Sequence, residues 1–148
     1  MIANAFAFFD IGDTLALVRV SAAGNSIEEI IVLPDVLHAL EELRAEGVCL
    51  GILSNRGNIE EKIVNEALEH VGLLPFFEPD LILYGPKNST QLFECAAGVV
   101  HKLNGGIQHG QQILLFVGEN AAERSFAQAA NFLVASHPRL ALAALRQN

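Results

Sequence analysis

Four acids, one hydroxyl and one lysine stand in this sequence where chemistry could be done. Asp10 follows the apolar run Ala5-Phe6-Ala7-Phe8-Phe9 directly, and Ile11, Gly12, Asp13 and Thr14 come at once after it. A carboxylate in such a place, beside a tight turn of backbone N–H groups, can hold a hard cation or attack an electrophilic phosphorus. Ser54 closes a second apolar run, Val48 to Leu53. Lys87 follows a third, Leu81 to Tyr84, through Gly85-Pro86. Glu119 and Glu123 come after a fourth, Ile113 to Val117. Taken singly, each has a plainer role: solvated turn acids, a loop-capping serine, a solvated loop lysine, and acids at a helix start complementing its dipole. Together they recur in order, each just beyond an apolar run.

Those runs predict the elements that must position them. An unbroken apolar run ended by Gly and Asp reads as a strand buried on both faces. Residues 34–46 read as a helix opened by Pro34-Asp35, with Val36, Leu37, Leu40 and Leu43 at helical spacing and Gly47 ending it. Further helices are expected over 58–70, from a Ser89 cap to Leu103, over 121–130, and after Pro138. Strands are expected at 48–53, 81–84, 113–117 and 132–135, and a loose turn over 104–110. Leu17 to Val20 and Ile27 to Leu33, around a small Gly-Asn turn, predict a hairpin near residues 17–33. Its position invites two readings, a flap over the Asp10 loop or an ordinary surface hairpin.

Strands alternating with helices predict an α/β fold: a three-layer, doubly wound, Rossmann-like parallel sheet of about five strands in one domain over 1–148. In such a sheet the strands' carboxyl ends share one rim, where ligands collect. That rim would gather Asp10, Asp13, Ser54 to Arg56, Lys87, and Glu119 to Glu123.

Composition narrows the partners. Hydrophobic residues make up 51% of the 148, so a substantial core is expected and disorder is not. A formal net charge of −8 argues against nucleic-acid backbone or an anionic membrane surface as the main partner. No apolar segment reaches the ~20 residues that span a bilayer. Met1 to Asn4 is not a charged signal-peptide start, so a cytoplasmic protein is expected. Cys49 and Cys95 lack CxxC spacing and are expected to be buried free thiols. The five histidines form no HExxH-like pair.

The rim residues suit phosphoryl transfer. Asp10 is the candidate nucleophile, forming an aspartyl-phosphate. A hard divalent cation would sit among Asp10, a backbone carbonyl near Gly12, and Glu119 or Glu123. The Ser54 hydroxyl and the N–H groups after it would bind phosphoryl oxygens, and Lys87 would offset the gathered charge. Asp13, Thr14, Asn55 and Arg56 complete the expected substrate-binding set.

This ordered set resembles the haloacid dehalogenase-like (HAD) superfamily of phosphohydrolases, over nearly the whole chain. Phe8-Phe9-Asp10-Ile11-Gly12-Asp13-Thr14-Leu15 looks like its nucleophile motif and Leu53-Ser54-Asn55 like its second. Lys87 to Phe93 keeps the third motif's spacing without the usual prolines. Val117-Gly118-Glu119-Asn120-Ala121-Ala122-Glu123 is similar to the acidic fourth motif. The resemblance implies a Rossmannoid fold, magnesium as cofactor and Asp10 as nucleophile.

Three departures bear on activity. The family's phosphatases usually carry a general acid two residues after the nucleophile, where this chain has Gly12, with an acid one residue later at Asp13. Such an acid is typically worth about 10²–10⁴-fold in rate. Glutamates stand at 119 and 123 where aspartates are usual. Neither the 15–54 nor the 54–87 stretch has room for an inserted cap domain, so only the hairpin could cover the site. Capless members resemble enzymes for large or partner-presented substrates, or ones that close the site by homo-oligomerisation. The expected function is a magnesium-dependent phosphohydrolase acting on a phosphorylated small molecule or macromolecule. The alternative is a catalytically weakened relative that binds a phosphorylated ligand or a protein partner. A simple nucleotide-binding domain is disfavoured, because no GxGxxG or GxxxxGK[ST] occurs.

Overall fold

Strand β1 (Ala5–Phe9) is buried at every position. In the computed structural model, which describes residues 1–103 and 112–147, it lies at the centre of the main sheet. The turn expected over 104–110 lies outside the described residues. Alternation along β1 feeds two cores. Ala5, Ala7 and Phe9 enter one, with Val36, Leu40 and Leu68. Phe6 and Phe8 enter the other, with Phe93, Phe116 and Phe132. A strand packed on both faces has no polar face to show, which is why its sequence reads as a continuous apolar run.

The chain continues through β2 (Ala16–Val20), β3 (Ile27–Val32), α1 (Val36–Ala45), β4 (Cys49–Ser54), α2 (Glu61–His70), β5 (Ile82–Tyr84), α3 (Gln91–Leu103), β6 (Ile113–Val117), α4 (Ala121–Ala129), β7 (Leu133–Ala135) and α5 (Ala141–Arg146). The main sheet runs β5-β4-β1-β6-β7, and each neighbouring pair is parallel. Helices α1, α2 and α5 bury Leu40, Leu68 and Leu145 in the first core. Helices α3 and α4 bury Phe93 and Ala127 in the second. The result is the expected three-layer, doubly wound sheet of five parallel strands. No helix among the described residues is long and apolar enough to cross a membrane.

Register places the site. Phe9 pairs with both Ile52 and Val117, so β1, β4 and β6 run out side by side. Helix α1 follows β1 on one face, and α4 follows β6 on the other. Their divergence opens a crevice at the carboxyl ends of these two strands. Asp10 begins there, its N–H donating to the Val117 carbonyl at 3.0 Å.

Several elements start or stop away from their sequence-based bounds. Helix α1 begins at Val36 because Asp35 takes a left-handed conformation, φ 67°. Helix α2 begins at Glu61 rather than 58, because Ile59 N–H turns back to the Arg56 carbonyl. Leu81 belongs to a short 3₁₀ turn, which leaves β5 three residues. The thiols are free, as expected, but the burial assigned to them is corrected: Cys49 is half-buried and Cys95 exposed. The inward face of α3 is set by Phe93, Ala96 and Val100, and Cys95 falls off it.

Strands β2 and β3 form a separate antiparallel sheet, close to the hairpin expected over 17–33. Val18, Ile27 and Ile30 pack against the first core, so the hairpin is held down on one side.

Candidate active site

Four loops carry the site, each leaving the carboxyl end of a strand. Asp10 closes β1, Ser54 ends β4, Lys87 lies in the loop after β5, and Glu119 and Glu123 follow β6. Lys87 crosses under this rim. Its side chain is 1% exposed, and its Nζ lies 2.7 Å from Asp10 Oδ1, 3.0 Å from the Leu53 carbonyl and 3.0 Å from Glu123 Oε1. An ammonium has three protons to donate, and three oxygens surround this one. The Phe116 ring lies 5.3 Å from the same nitrogen and adds a cation–π contact. A buried lysine is tolerable only when its charge is compensated, and here two carboxylates do so.

Asp10 Oδ1 also accepts from the Ser54 hydroxyl at 3.1 Å. Among the described residues, Oδ1 takes both side-chain bonds and Oδ2 takes none. The carboxylate is thus fixed through one oxygen and presents the other.

Thr14 and Glu119 tie the first loop to the fourth. The Thr14 side chain is buried, and its hydroxyl accepts from the Glu119 N–H at 3.2 Å. Arg124 reaches back from α4 and donates to the Gly118 carbonyl at 2.8 Å. Asn120 caps α4, accepting from the Glu123 N–H at 3.0 Å. Glu119 is therefore free of capping duty. A Cβ on Gly118 would stand 2.7 Å from the Phe116 ring, too close without a shift of that ring, and at an ordinary 3.6 Å from Asp10 Cβ, so glycine lets this loop pass over Phe116.

Asp13 takes a left-handed conformation, φ 61°, is exposed, and donates its N–H to the Ala16 carbonyl. Gly12 does not take that conformation, and a Cβ built on it would meet nothing within 4 Å.

A cavity of about 320 Å³ is lined by Gly12 and Ser54, though not by Asp10, Lys87, Glu119 or Glu123 themselves. The hairpin walls it with Val18, Val20, Ile27 and Ile30, which favours the flap reading over an ordinary surface hairpin. Asn55 and Arg56 reach the same cavity from the loop after β4. Both are anchored: Asn55 Oδ1 accepts from the Gly57 N–H at 2.9 Å, and Arg56 Nη1 donates to the Ile59 carbonyl at 2.7 Å. Tyr84 closes the inner end, its hydroxyl donating to Asn65 Oδ1 at 2.8 Å. Burial, reinforced by Glu61 and opposed by Arg56, pushes its phenol up to about 12. Thr14 and Asp13 do not line this cavity.

Glu123 Oε1 shows what else the site could hold. It is buried without a hydrogen bond of good geometry, although the Lys87 ammonium lies 3.0 Å away. A carboxylate oxygen with spare capacity, sharing the Lys87 ammonium with Asp10, suits a hard cation. Among the described residues no three His, Cys, Asp or Glu side chains form a ready-made cluster, so a cation here would also draw on backbone oxygen and water.

Residues with no distinctive pattern complete the arrangement. Phe116 and the Leu53 carbonyl lie inside strand runs and read only as core, and Arg124 is one helix residue among many. None carries a local signal, because each acts through a neighbour distant in sequence.

The architecture is shared with known hydrolases. A HAD-superfamily hydrolase from Ehrlichia chaffeensis superimposes with a TM-score of 0.68 at 12% identity, over 99% of this chain and 98% of that one. A HAD-superfamily hydrolase of subfamily IA from Geobacter sulfurreducens gives 0.63 at 14% identity, over 95% and 99%. The D,D-heptose 1,7-bisphosphate phosphatase of B. bronchiseptica, solved with magnesium and phosphate, gives 0.60 at 17% identity, over 88% and 78%. No protein-family model matches the sequence, and no curated protein matches it. The chain has the haloacid dehalogenase-like fold.

Proposed function

We propose that this protein is a metal-dependent phosphohydrolase that works through an aspartyl-phosphate on Asp10. One observation carries the reading: an aspartate at the central strand's end is clamped through Oδ1 by a buried lysine and a serine. That serine also lines the cavity under the hairpin, so the clamp on Asp10 reaches a ligand-sized space through Ser54. In the first step an Asp10 carboxylate oxygen bonds to phosphorus, and the bond from phosphorus to the leaving oxygen breaks, releasing an alkoxide or aryloxide. In the second, water attacks the same phosphorus, the aspartyl oxygen departs as carboxylate, and inorganic phosphate leaves.

Lys87 neutralises charge where Asp10 and the phosphoryl group meet, at no cost in reorganisation because it is already in place. Ser54 turns its hydroxyl from Asp10 to a phosphoryl oxygen. Thr14 holds the first and fourth loops at a set distance. Asp10 and Glu123, with Glu119 and the Gly12 carbonyl, are the residues that would hold magnesium. When bound, that ion supplies charge neutralisation at the phosphoryl oxygens. The magnesium and phosphate named with the B. bronchiseptica structure support this choice. So do the chemistry of an all-oxygen donor set and the spare capacity of Glu123 Oε1.

A second reading is a domain that binds a phosphorylated ligand without turning it over. Glycine at position 12 and the lack of a converged acid cluster among the described residues favour it. Phosphate release from a broad panel of phosphate esters with magnesium, beside Asp10→Asn, separates the two. Release above the Asp10→Asn control establishes the hydrolase. Ligand binding without release leaves the binding domain.

A further inference from the structure

The cavity under the hairpin is not explained by phosphoryl transfer alone. Gly12 and Ser54 line it, and Ser54 bonds Asp10, so the cavity adjoins the proposed phosphoryl site through that serine. Its hairpin wall is aliphatic, and Ile59, Val64 and Leu68 face it from the approach to α2 and from α2 itself. Neither aspartate nor glutamate nor histidine lines it; its ionisable side chains are Arg56 and Tyr84. Tyr84 already donates its proton to Asn65, and Arg56 is held by the Ile59 carbonyl.

Two constraints follow for a leaving group in this space. Ser54, Asn55, Arg56 and Asn58 put polar side chains on the side of the loop after β4. The hairpin and α2 walls offer no side-chain partner to a sugar's hydroxyls, and each buried hydroxyl left unpaired there costs about 1–3 kcal/mol. With no proton donor at hand, the departing oxygen must leave as an anion, which disfavours alkoxides and favours acidic phenols. The volume, about 320 Å³, lies near the lower end of ordinary ligand sites, about 300–1,000 Å³.

We infer that the substrate is a small aryl phosphate whose ring occupies the cavity between the hairpin and α2, with Val18, Val20, Ile27 and Ile30 as its specificity wall. This rests on the hydrolase reading for its chemistry, and on the cavity for its selectivity. The aryl oxygen takes the electron pair of the broken P–O bond and is protonated by water after release.

Binding and turnover test the two parts separately. With magnesium present, titration calorimetry compares benzylphosphonate with methylphosphonate, which share the phosphoryl mimic and differ in the ring. The wild type should bind benzylphosphonate at least tenfold more tightly. Val20→Asp sets a carboxylate on the wall at a residue 41% exposed, where the fold tolerates it, and should cut that preference at least fivefold. Ile27→Asn is the second wall variant. Phenyl phosphate and acetyl phosphate then read turnover, since both carry good leaving groups and only one fills the cavity. Equal affinity for the two phosphonates, or a preference untouched by both wall variants, overturns the inference even if both phosphates are hydrolysed. A ring preference lost in the wall variants supports it, even if neither phosphate is hydrolysed and the hydrolase reading fails.

Discussion

The Lys87 ammonium donates to Asp10 Oδ1 at 2.7 Å from inside the protein, across 77 residues of sequence. The bond joins folding to chemistry, because the cation that holds the carboxylate would also meet the phosphoryl charge. Lys87→Met should therefore harm both. Removing one partner of a buried pair costs up to about 3–5 kcal/mol, less here because Asp10 and Glu123 are 14% and 26% exposed. Turnover should fall about 10²–10³-fold, as when one preorganised charge-stabilising donor is lost. Urea unfolding and kcat measured on the same preparation check the two effects.

Gly12→Asp should create the missing acid. The position has ordinary backbone geometry and open space around its Cβ. The variant should fold, and its kcat/KM for alkyl phosphates should rise relative to aryl phosphates by about 10²-fold or more. An unchanged ratio would mean that the leaving group departs elsewhere. Asp13→Asn, on an exposed side chain, should leave the ratio near its starting value.

Magnesium should raise the melting temperature through the acids after β6. A ligand at ten times its Kd stabilises by about 1.4 kcal/mol. Glu123→Gln and Glu119→Ala should each shrink the magnesium-induced shift. Glu123→Gln should also lower the metal-free melting temperature, because it frees one of the Lys87 contacts. A thermal-shift titration reads both, and an undiminished magnesium response in both variants would move the ion elsewhere.

Thr14→Val should loosen the joint between the first and fourth loops. It strips the acceptor from the Glu119 N–H, and an amide left unpaired costs about 1–3 kcal/mol. Thr14→Ser should restore most of the loss in chemical denaturation, since the hydroxyl is what the bond needs.

Tyr84 gives a pH test with a clean signal, because the chain has one tyrosine and no tryptophan. Its phenol sits at about 12 in the folded protein, against an ordinary value of 10.0, chiefly through burial. The folded state holds the proton more tightly, so this contribution to stability is intact below pH 10 and fades as the pH climbs from 10 towards 12. Absorbance titration at the phenolate band should show a midpoint well above that of free tyrosine, and Glu61→Gln should bring it down.

The order of buried strands, and Asp10, Ser54, Lys87, Glu119 and Glu123 at or beyond their ends, were legible in the sequence. Local rules decide them: a strand packed on both faces must be apolar throughout, and polar residues gather where it leaves the sheet. That Asp10, Ser54, Lys87 and Glu123 come together was legible as topology, since parallel strands share one rim. What only the tertiary structure decided are the relations across that rim. That Lys87 bonds Asp10 and faces Glu123, that Thr14 receives the Glu119 N–H, and that Asn120 rather than Glu119 caps α4 depend on side-chain directions between segments up to 105 residues apart. The room around Gly12 and the aliphatic cavity under the hairpin belong to the same class. A void is defined by what fails to fill it, and no single stretch of sequence records where distant side chains stop short of one another.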